Sequence, residues 1–343
     1  MNRRIVTIAV GLAATGLLTA GCGGGDGGKD KPDASSSSAP GKDGKGSGAA
    51  APIITPAQAA AVLDTYEKTN NAANKTRDLA ELGTIEAGAL LQVDSAVYKQ
   101  YPKLSAKQRQ NYFPAFTYTQ RHFYIPTTGS WFMASGYTGE TFNLMVFQQQ
   151  TGGHWKMVVA NSYQGALPAL AKGPDGAPVI VAPDATVGGT KLSALGAAVN
   201  DLRVTGGAKA GAALADSAVR RDAVKKYTTR NDDWGRYKNC LRTDYEAAGT
   251  KWDSAYLKYP DTYALKTADG GALVASTSYF VELDFSTRPE TCSVVPDGIT
   301  QTYLHGDQHG IRSRYASQNV VSVPAAGKPV QLGGTAYLIG ASS

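Results

Sequence analysis

Apolar and polar positions change period several times along the chain. Thr55-Pro56-Ala57-Gln58 combines a Thr N-cap, Pro at the first helical position and Gln at the capping-box position. Ala59, Val62, Leu63 and Tyr66 then recur at helical spacing, and a second helix is expected over 77–99. From Phe116 the period falls to two, and residues 116–125, 131–138, 142–150 and 155–164 read as four strands with Gly-rich or Thr-Gly turns between them. In the last of these, Trp155, Met157 and Val159 share one face while His154, Lys156, Val158 and Ala160 share the other, so one face is the more apolar.

The order of helices followed by strands then recurs. Leu192, Leu195, Val199 and Leu202 lie on one helical face, and a further helix is expected over 212–227. Residues 273–285 alternate for long enough to imply a bent or bulged strand. Two more strands are expected at 314–323 and 330–339, with Gly333-Gly334 marking a bulge in the last. A short internal match accompanies the repeated order. Glu86-Ala87-Gly88, Asp94-Ser95-Ala96 and Tyr101-Pro102 correspond to Glu246-Ala247-Ala248-Gly249, Asp253-Ser254-Ala255 and Tyr259-Pro260, offset by 159 residues at the aspartates and 158 at the tyrosines. A tandem duplication explains both, each copy carrying its own core.

Helices first and consecutive antiparallel strands afterwards is an α+β pattern. In that element order each half resembles the ketosteroid-isomerase-like, or nuclear-transport-factor-like, cone. The resemblance implies two tandem cone-shaped domains, each with N-terminal helices packed on a curved antiparallel sheet. The cone fold hosts enzymes, binders and inert partner domains, so it does not assign an activity.

The N-terminus adds a compartment. Arg3 and Arg4 precede an apolar run over 5–18 that is too short to span a bilayer, and Leu18-Thr19-Ala20-Gly21-Cys22 follows. This string resembles a bacterial lipobox, with Thr19 in place of the more usual leucine. The resemblance implies cleavage before Cys22 and a diacylglycerol on its sulfur, holding the chain on the outer, extracytoplasmic face of a cell membrane. An ordinary signal peptide with an incidental cysteine is the alternative. Residues 23–52 contain no aromatic or large aliphatic side chain and cannot bury enough surface to fold. As a flexible tether they reach roughly 30 Å. The expected organisation is a signal peptide at 1–21, a lipid-anchored tether at 22–52, a first cone at 53–170, a linker at 171–187 and a second cone at 188–343. Lipobox, tether and alanine-rich paired domains together resemble uncharacterised actinobacterial lipoproteins.

Charge and cysteine content narrow the chemistry. The chain has 34 Lys and Arg against 28 Asp and Glu, a surplus of six that becomes four once Arg3 and Arg4 are removed; this is too small and dispersed for a nucleic-acid footprint. Beyond Cys22 only Cys240 and Cys292 remain, an even pair that reads as a disulfide in an exported chain, with two unrelated buried thiols as the alternative. His305, Asp307 and His309 would share a face on a strand and offer two imidazoles and a carboxylate to a metal. Gly306 and Gly310 flank them, so a solvated hairpin loop is the plainer reading.

An isomerase or dehydratase of the cone fold would need a carboxylate base beside a phenol or acid donor. Asp94 near Tyr98 and Tyr101, or Asp253 near Tyr256 and Tyr259, has the residue types, although a Tyr-Pro after a helix is also an ordinary core cap. Glu282 and Asp284 fall on the strand face opposite Tyr279, Val281, Leu283 and Phe285 and are expected to be exposed. There is no Gly-x-Ser-x-Gly elbow, phosphate loop, His-Glu-x-x-His or Ser-x-x-Lys set, and Arg220-Arg221 with Lys225-Lys226 makes a basic helix stretch that reads as solvated. No catalytic residue and no cofactor is expected. The sequence favours a binding module for a small apolar ligand or another envelope protein, ahead of an enzyme or an envelope spacer.

Overall fold

The computed structural model describes residues 51–110, 113–247 and 258–343. The expected signal peptide, Cys22, nearly all of the tether, Asp253 and Tyr256 lie outside them. The fold is mixed α+β with antiparallel sheets.

Helix α1 (Pro56–Thr76) starts as its sequence dictates, with Thr55 and Gln58 completing a reciprocal capping box, and ends at Arg77 in the left-handed region at φ 60°. The single helix expected over 77–99 is in fact two, α2 (Leu79–Ile85) and α3 (Gly88–Gln100). Asp78 caps α2 by accepting from the N–H groups of Ala80 and Glu81. Glu86 and Ala87 then leave the helix, because the N–H of Ala87 donates to the carbonyl of Met157 in the adjoining sheet at 3.0 Å. Gly88 re-enters at φ 61°, a conformation that side chains rarely adopt.

A short helix α4 (Ala106–Gln110) leads to the meander β1 (Thr119–Tyr124), β2 (Trp131–Thr138), β3 (Thr141–Gln149) and β4 (Trp155–Ser162). One face of this sheet, with Phe132, Ala134, Met145, Phe147 and Met157, packs on Leu63, Tyr66, Leu82 and Leu90 of the helices. A register shift between β3 and β4 interrupts the alternation expected of β4: Met157 faces the helices, whereas Val158 and Val159 both pack on the opposite side.

The second part opens with the hairpin β5 (Thr186–Val187) and β6 (Thr190–Lys191), then α5 (Leu195–Val204) and α6 (Ala218–Thr228). Its sheet comprises β7 (Leu241–Ala247), β8 (Thr262–Lys266), β9 (Ala272–Ser286), β10 (Gly310–Val323) and β11 (Val330–Ser342), in the order β11-β10-β9-β7 with β8 beside β7 on the same edge of β9. The β9–β10 register runs unbroken from Ala272↔Val323 to Phe285↔Gly310, so the irregularity expected in the long strand is absent from that pair. The bulge expected at Gly333-Gly334 is present: the β10–β11 register shifts at Val320/Val321 opposite Gly333, and again at Arg314/Tyr315.

Both faces of the second sheet are covered. Ala272, Val274, Val321 and Val323 pack under α5 with Leu195, Val199 and Leu202. On the other face Tyr263, Leu265, Leu273, Ala275 and Val320 meet Met133, Leu144, Val146, Val158 and Val159 of the first sheet. The layers therefore run helices, sheet, sheet, helices, and the halves share a core instead of each holding only its own. Polar contacts fix the stacking: Gln318 Oε1 accepts from the N–H of Ala160 at 3.0 Å, Asn161 Nδ2 donates to the Gln318 carbonyl at 2.7 Å, and the Gln164 N–H donates to the Leu332 carbonyl at 3.0 Å. Residues of the expected linker bond along β8, through the N–H groups of Ala171 and Val181 and the carbonyl of Val179.

The internal sequence match does not survive as a structural equivalence. Glu86 sits at the break between two helices, whereas Glu246 lies within β7.

At Gly333 the sheets touch closely, since a Cβ there would stand 2.2 Å from the Ser162 carbonyl oxygen. Gly83 in α2 has open space around it. Chemical denaturation is expected to show Gly333→Ala destabilised by roughly 2–4 kcal/mol, and Gly83→Ala neutral or more stable by about 0.5–1 kcal/mol.

Candidate functional site

The most unusual chemistry lies where α1, the α2–α3 break and α3 converge. Leu63, Tyr66, Asn70 and Ala73 follow one another at helical spacing on the buried side of α1, so its inward stripe is part apolar and part polar. The break swings Glu86 under that stripe, where it is 0% exposed. Tyr66 OH donates to Glu86 Oε1 at 2.9 Å, and Asn70 Nδ2 reaches the same oxygen at 3.2 Å. The ladder continues outward. Asn74 Nδ2 donates to Asn70 Oδ1 at 2.6 Å, and Tyr98 OH donates to Asn74 Oδ1 at 2.8 Å.

Glu86 Oε2 is buried and receives no donor from the described residues. Its carboxyl is coupled to that of half-buried Asp94, one helical turn before Tyr98 on α3. Two ionised carboxylates in contact are untenable in a poorly solvated site, so the pair holds a proton. Burial, then the charge of Asp94, pushes Glu86 well above the usual carboxylate range; burial pushes Asp94 up to about 6, against the opposing effect of a hydrogen bond from Glu86. Glu86 is thus the proton donor and Asp94 the acceptor. The hydroxyls of Tyr66, Tyr98 and Tyr118 are held protonated, by burial first and by these carboxylates second; for Tyr118 the charge of Glu67 comes between.

Neither member of the pair forms an ion pair among the described residues. The third acid on this side, Glu67, is neutralised separately: Arg121 Nη2 donates to its Oε1 at 2.7 Å and the Tyr118 N–H at 2.8 Å. With Asn71, which both donates to and accepts from the backbone of Phe116, Glu67 ties the strand entry to α1.

Asp94 and Tyr98, cast as a possible acid–base set from the sequence, thus meet in one polar ladder, while the ring of Tyr101 carries Arg77 4.5 Å from its centroid. Sequence reasoning missed Glu86, Tyr66 and Asn70 as site residues. Their signal was the polar stripe at 66, 70 and 74 inside an otherwise core-facing helix.

Glu282 and Asp284 are not on an open face. They are half-buried on the side of β9 that carries buried Phe280, with Tyr245 and Tyr315 beside them on the neighbouring strands. Burial, followed by the charges of Glu282 and Asp284, raises the Tyr315 hydroxyl well above its usual range. These acids are engaged, since Thr243 Oγ1 donates to Asp284 and Trp234 Nε1 donates to Thr243 at 3.0 Å.

Cys240 and Cys292 form a disulfide joining the start of β7 to the segment after β9. His305, Asp307 and His309 precede β10 in non-strand backbone, so strand alternation does not align them. Asp307 accepts from Ser293 Oγ at 2.9 Å, and among the described residues no group of three or more His, Cys, Asp or Glu side chains is arranged to hold a metal ion. The described helices include none long and apolar enough to cross a membrane.

Comparison with known proteins places these features in context. Residues 50–343 match a family described as a domain of unknown function (DUF8094). The chain is also similar to an uncharacterised lipoprotein of Streptomyces coelicolor, at 27% identity over 96% of this chain and 92% of the relative. No solved structure matches.

The dyad makes stability depend on pH in a defined direction. Asp94 has a raised folded pKa, so its contribution is fully present below the unfolded value near 3.9 and is lost as pH rises through about 6. Glu86, raised further by burial and by the charge of Asp94, acts in the same direction over a range that extends to higher pH, so thermal unfolding is expected to show the wild type losing stability from about pH 4 upward through neutrality. Asp94→Asn, whose amide can donate to the Glu86 carboxyl, removes only the Asp94 part: the loss between about pH 4 and 7 should become shallower while the Glu86 part remains, and the variant should be more stable at pH 8 by on the order of 1–2 kcal/mol, allowing for partial exposure of Asp94.

Proposed function

The chain belongs to the DUF8094 family, and from that premise we propose that it is a membrane-anchored extracytoplasmic lipoprotein whose body binds a small, largely apolar ligand carrying a hydrogen-bonding head. The anchor reading rests on the Leu18-Thr19-Ala20-Gly21-Cys22 string, supported by a lipoprotein relative that matches over nearly its whole length. Two acyl chains on the Cys22 diacylglycerol would anchor stably where a single chain is marginal. Residues 23–52 would then tether the body to the outer face.

We read the two parts of the body as ketosteroid-isomerase-like cones in tandem, with helices preceding an antiparallel sheet in each. The boundaries at 53–170 and 188–343 belong to this reading. Their face-to-face packing makes the pair one unit, with the linker laid along β8.

The observation that carries the binding reading is the proton-sharing Glu86–Asp94 carboxyl pair, set with Glu86 fully buried between α1 and α3. A carboxyl pair with no cationic partner among the described residues is costly to keep in a core, and binding sites are where such costs recur. Tyr66, Tyr98 and Tyr118 supply apolar ring surface around it with hydroxyls at the edges. The same pair favours a second reading, an acid–base enzyme of the isomerase or dehydratase type, because Asp94 is poised near neutral pH beside a carboxyl proton donor.

Native mass spectrometry of membrane-extracted protein tests the two parts together. The expected result is a diacylglycerol mass on Cys22 and a retained small molecule that is depleted in Asp94→Asn. An unmodified Cys22 would overturn the anchor, and an empty wild type the ligand site. Cys22→Ser should shift the protein from the membrane fraction to the medium.

A further inference from the structure

The net charge of this chain is concentrated in one stretch of its body. Residues 209–242 contain nine Lys and Arg against four Asp and Glu, a surplus of five, when the whole chain has a surplus of six. With Arg3 and Arg4 gone and the tether balanced at four lysines and four aspartates, the rest of the body carries a net charge of about −1. The basic surplus is therefore local, although its overall size is unremarkable.

Structure turns that stretch of sequence into a surface. Helix α6 buries only Ala223, and Arg221, Lys225 and Lys226 are exposed on it. The chain continues directly into the 3-10 turn Asp232–Tyr237 and β7, where Arg236 and Lys238 are exposed as well. Arg221 pairs with Asp216, and Lys226 pairs with Asp222 at 2.9 Å, both in solvent, where such pairs are weak and leave the surplus intact. Lys225 and Lys226 also stand in the last turn of α6, where the helix dipole favours cations. The platform is tied at both ends: Ser217 caps α6, and the Cys240–Cys292 disulfide cross-links the exit into β7.

We propose that the α6–β7 basic surface docks on the anionic head groups of the membrane to which the chain is tethered. The occupant follows from charge and from the length of the tether. A tether of roughly 30 Å mean reach keeps the body within contact distance of its own bilayer at high effective concentration, so a weak electrostatic attraction suffices. Clustered Lys and Arg beside a membrane anchor are attracted to anionic lipid over about a Debye length. Docking would set which side of the body, and so which side of the Glu86–Asp94 site, faces outward.

This inference rests on the anchor reading, and the experiment separates the two. The mature chain carrying Cys22→Ser, which has no lipid, is floated with vesicles of phosphatidylcholine alone or of phosphatidylcholine with phosphatidylglycerol. Binding to the phosphatidylglycerol vesicles is expected to be at least about tenfold tighter at low salt and to vanish at high salt. Lys225→Glu with Lys226→Glu should reduce it to the phosphatidylcholine level with the thermal midpoint unchanged. Equal binding to both vesicles, or anionic binding that survives the charge reversal, overturns the proposal. An unacylated Cys22 in native protein would sink the anchor while leaving the vesicle result standing. Should the double reversal fail to fold, Lys225→Gln with Lys226→Gln replaces it and should give a partial loss of at least threefold, roughly the effect expected of two removed charges at intermediate salt.

Discussion

The close stacking of the two sheets is the constraint on which the rest of the molecule depends. Strand β4 can approach β11 only because Gly333 presents no side chain to the Ser162 carbonyl, and that approach brings Val158 and Val159 against Leu273, Ala275 and Val320. Burying two sheet faces at once removes more apolar surface from water than either half could cover alone. Gln318 and Asn161 then fix the register between layers, because a slipped stack would strand buried amides without partners.

Helix α3 inherits its position from this arrangement. Its Val93, Ala96 and Val97 pack on Tyr279, Ala316 and Ile339 of the second sheet, while Leu90 and Tyr98 join the first core. Gln100 Nε2 donates to the Leu338 carbonyl at 2.6 Å, pinning the end of the helix to β11. Asp94 is therefore held from the far half and Glu86 from the near one, through the Ala87 to Met157 bond. The carboxyl pair is a product of both sheets, which is why its members are held together and share a proton instead of moving apart.

Much of this was legible in the chain. The α1 capping box, the four strands of the first sheet and the three long segments that became β9, β10 and β11 follow from period and turn chemistry, which are local. The disulfide follows from the even pair of cysteines in an exported sequence. Of the site, Asp94 and Tyr98 were visible as residue types at the right spacing. Glu86 was visible only as part of a short internal match, whose two copies fall in a helix break and a strand.

What the sequence determined by itself was element type and order, since backbone preference and hydrophobic period act over a few residues. Tertiary structure alone decided which faces were covered. Alternation in β4 and β9 suggested one wet side, yet both sheets are buried on both sides because each serves as the other's partner. It also decided the break at Glu86, because the carbonyl that captures the Ala87 N–H belongs to Met157, seventy residues away in sequence. The pairing of Glu86 with Asp94 across that break, and hence its shared proton, depends on long-range packing that no local pattern encodes.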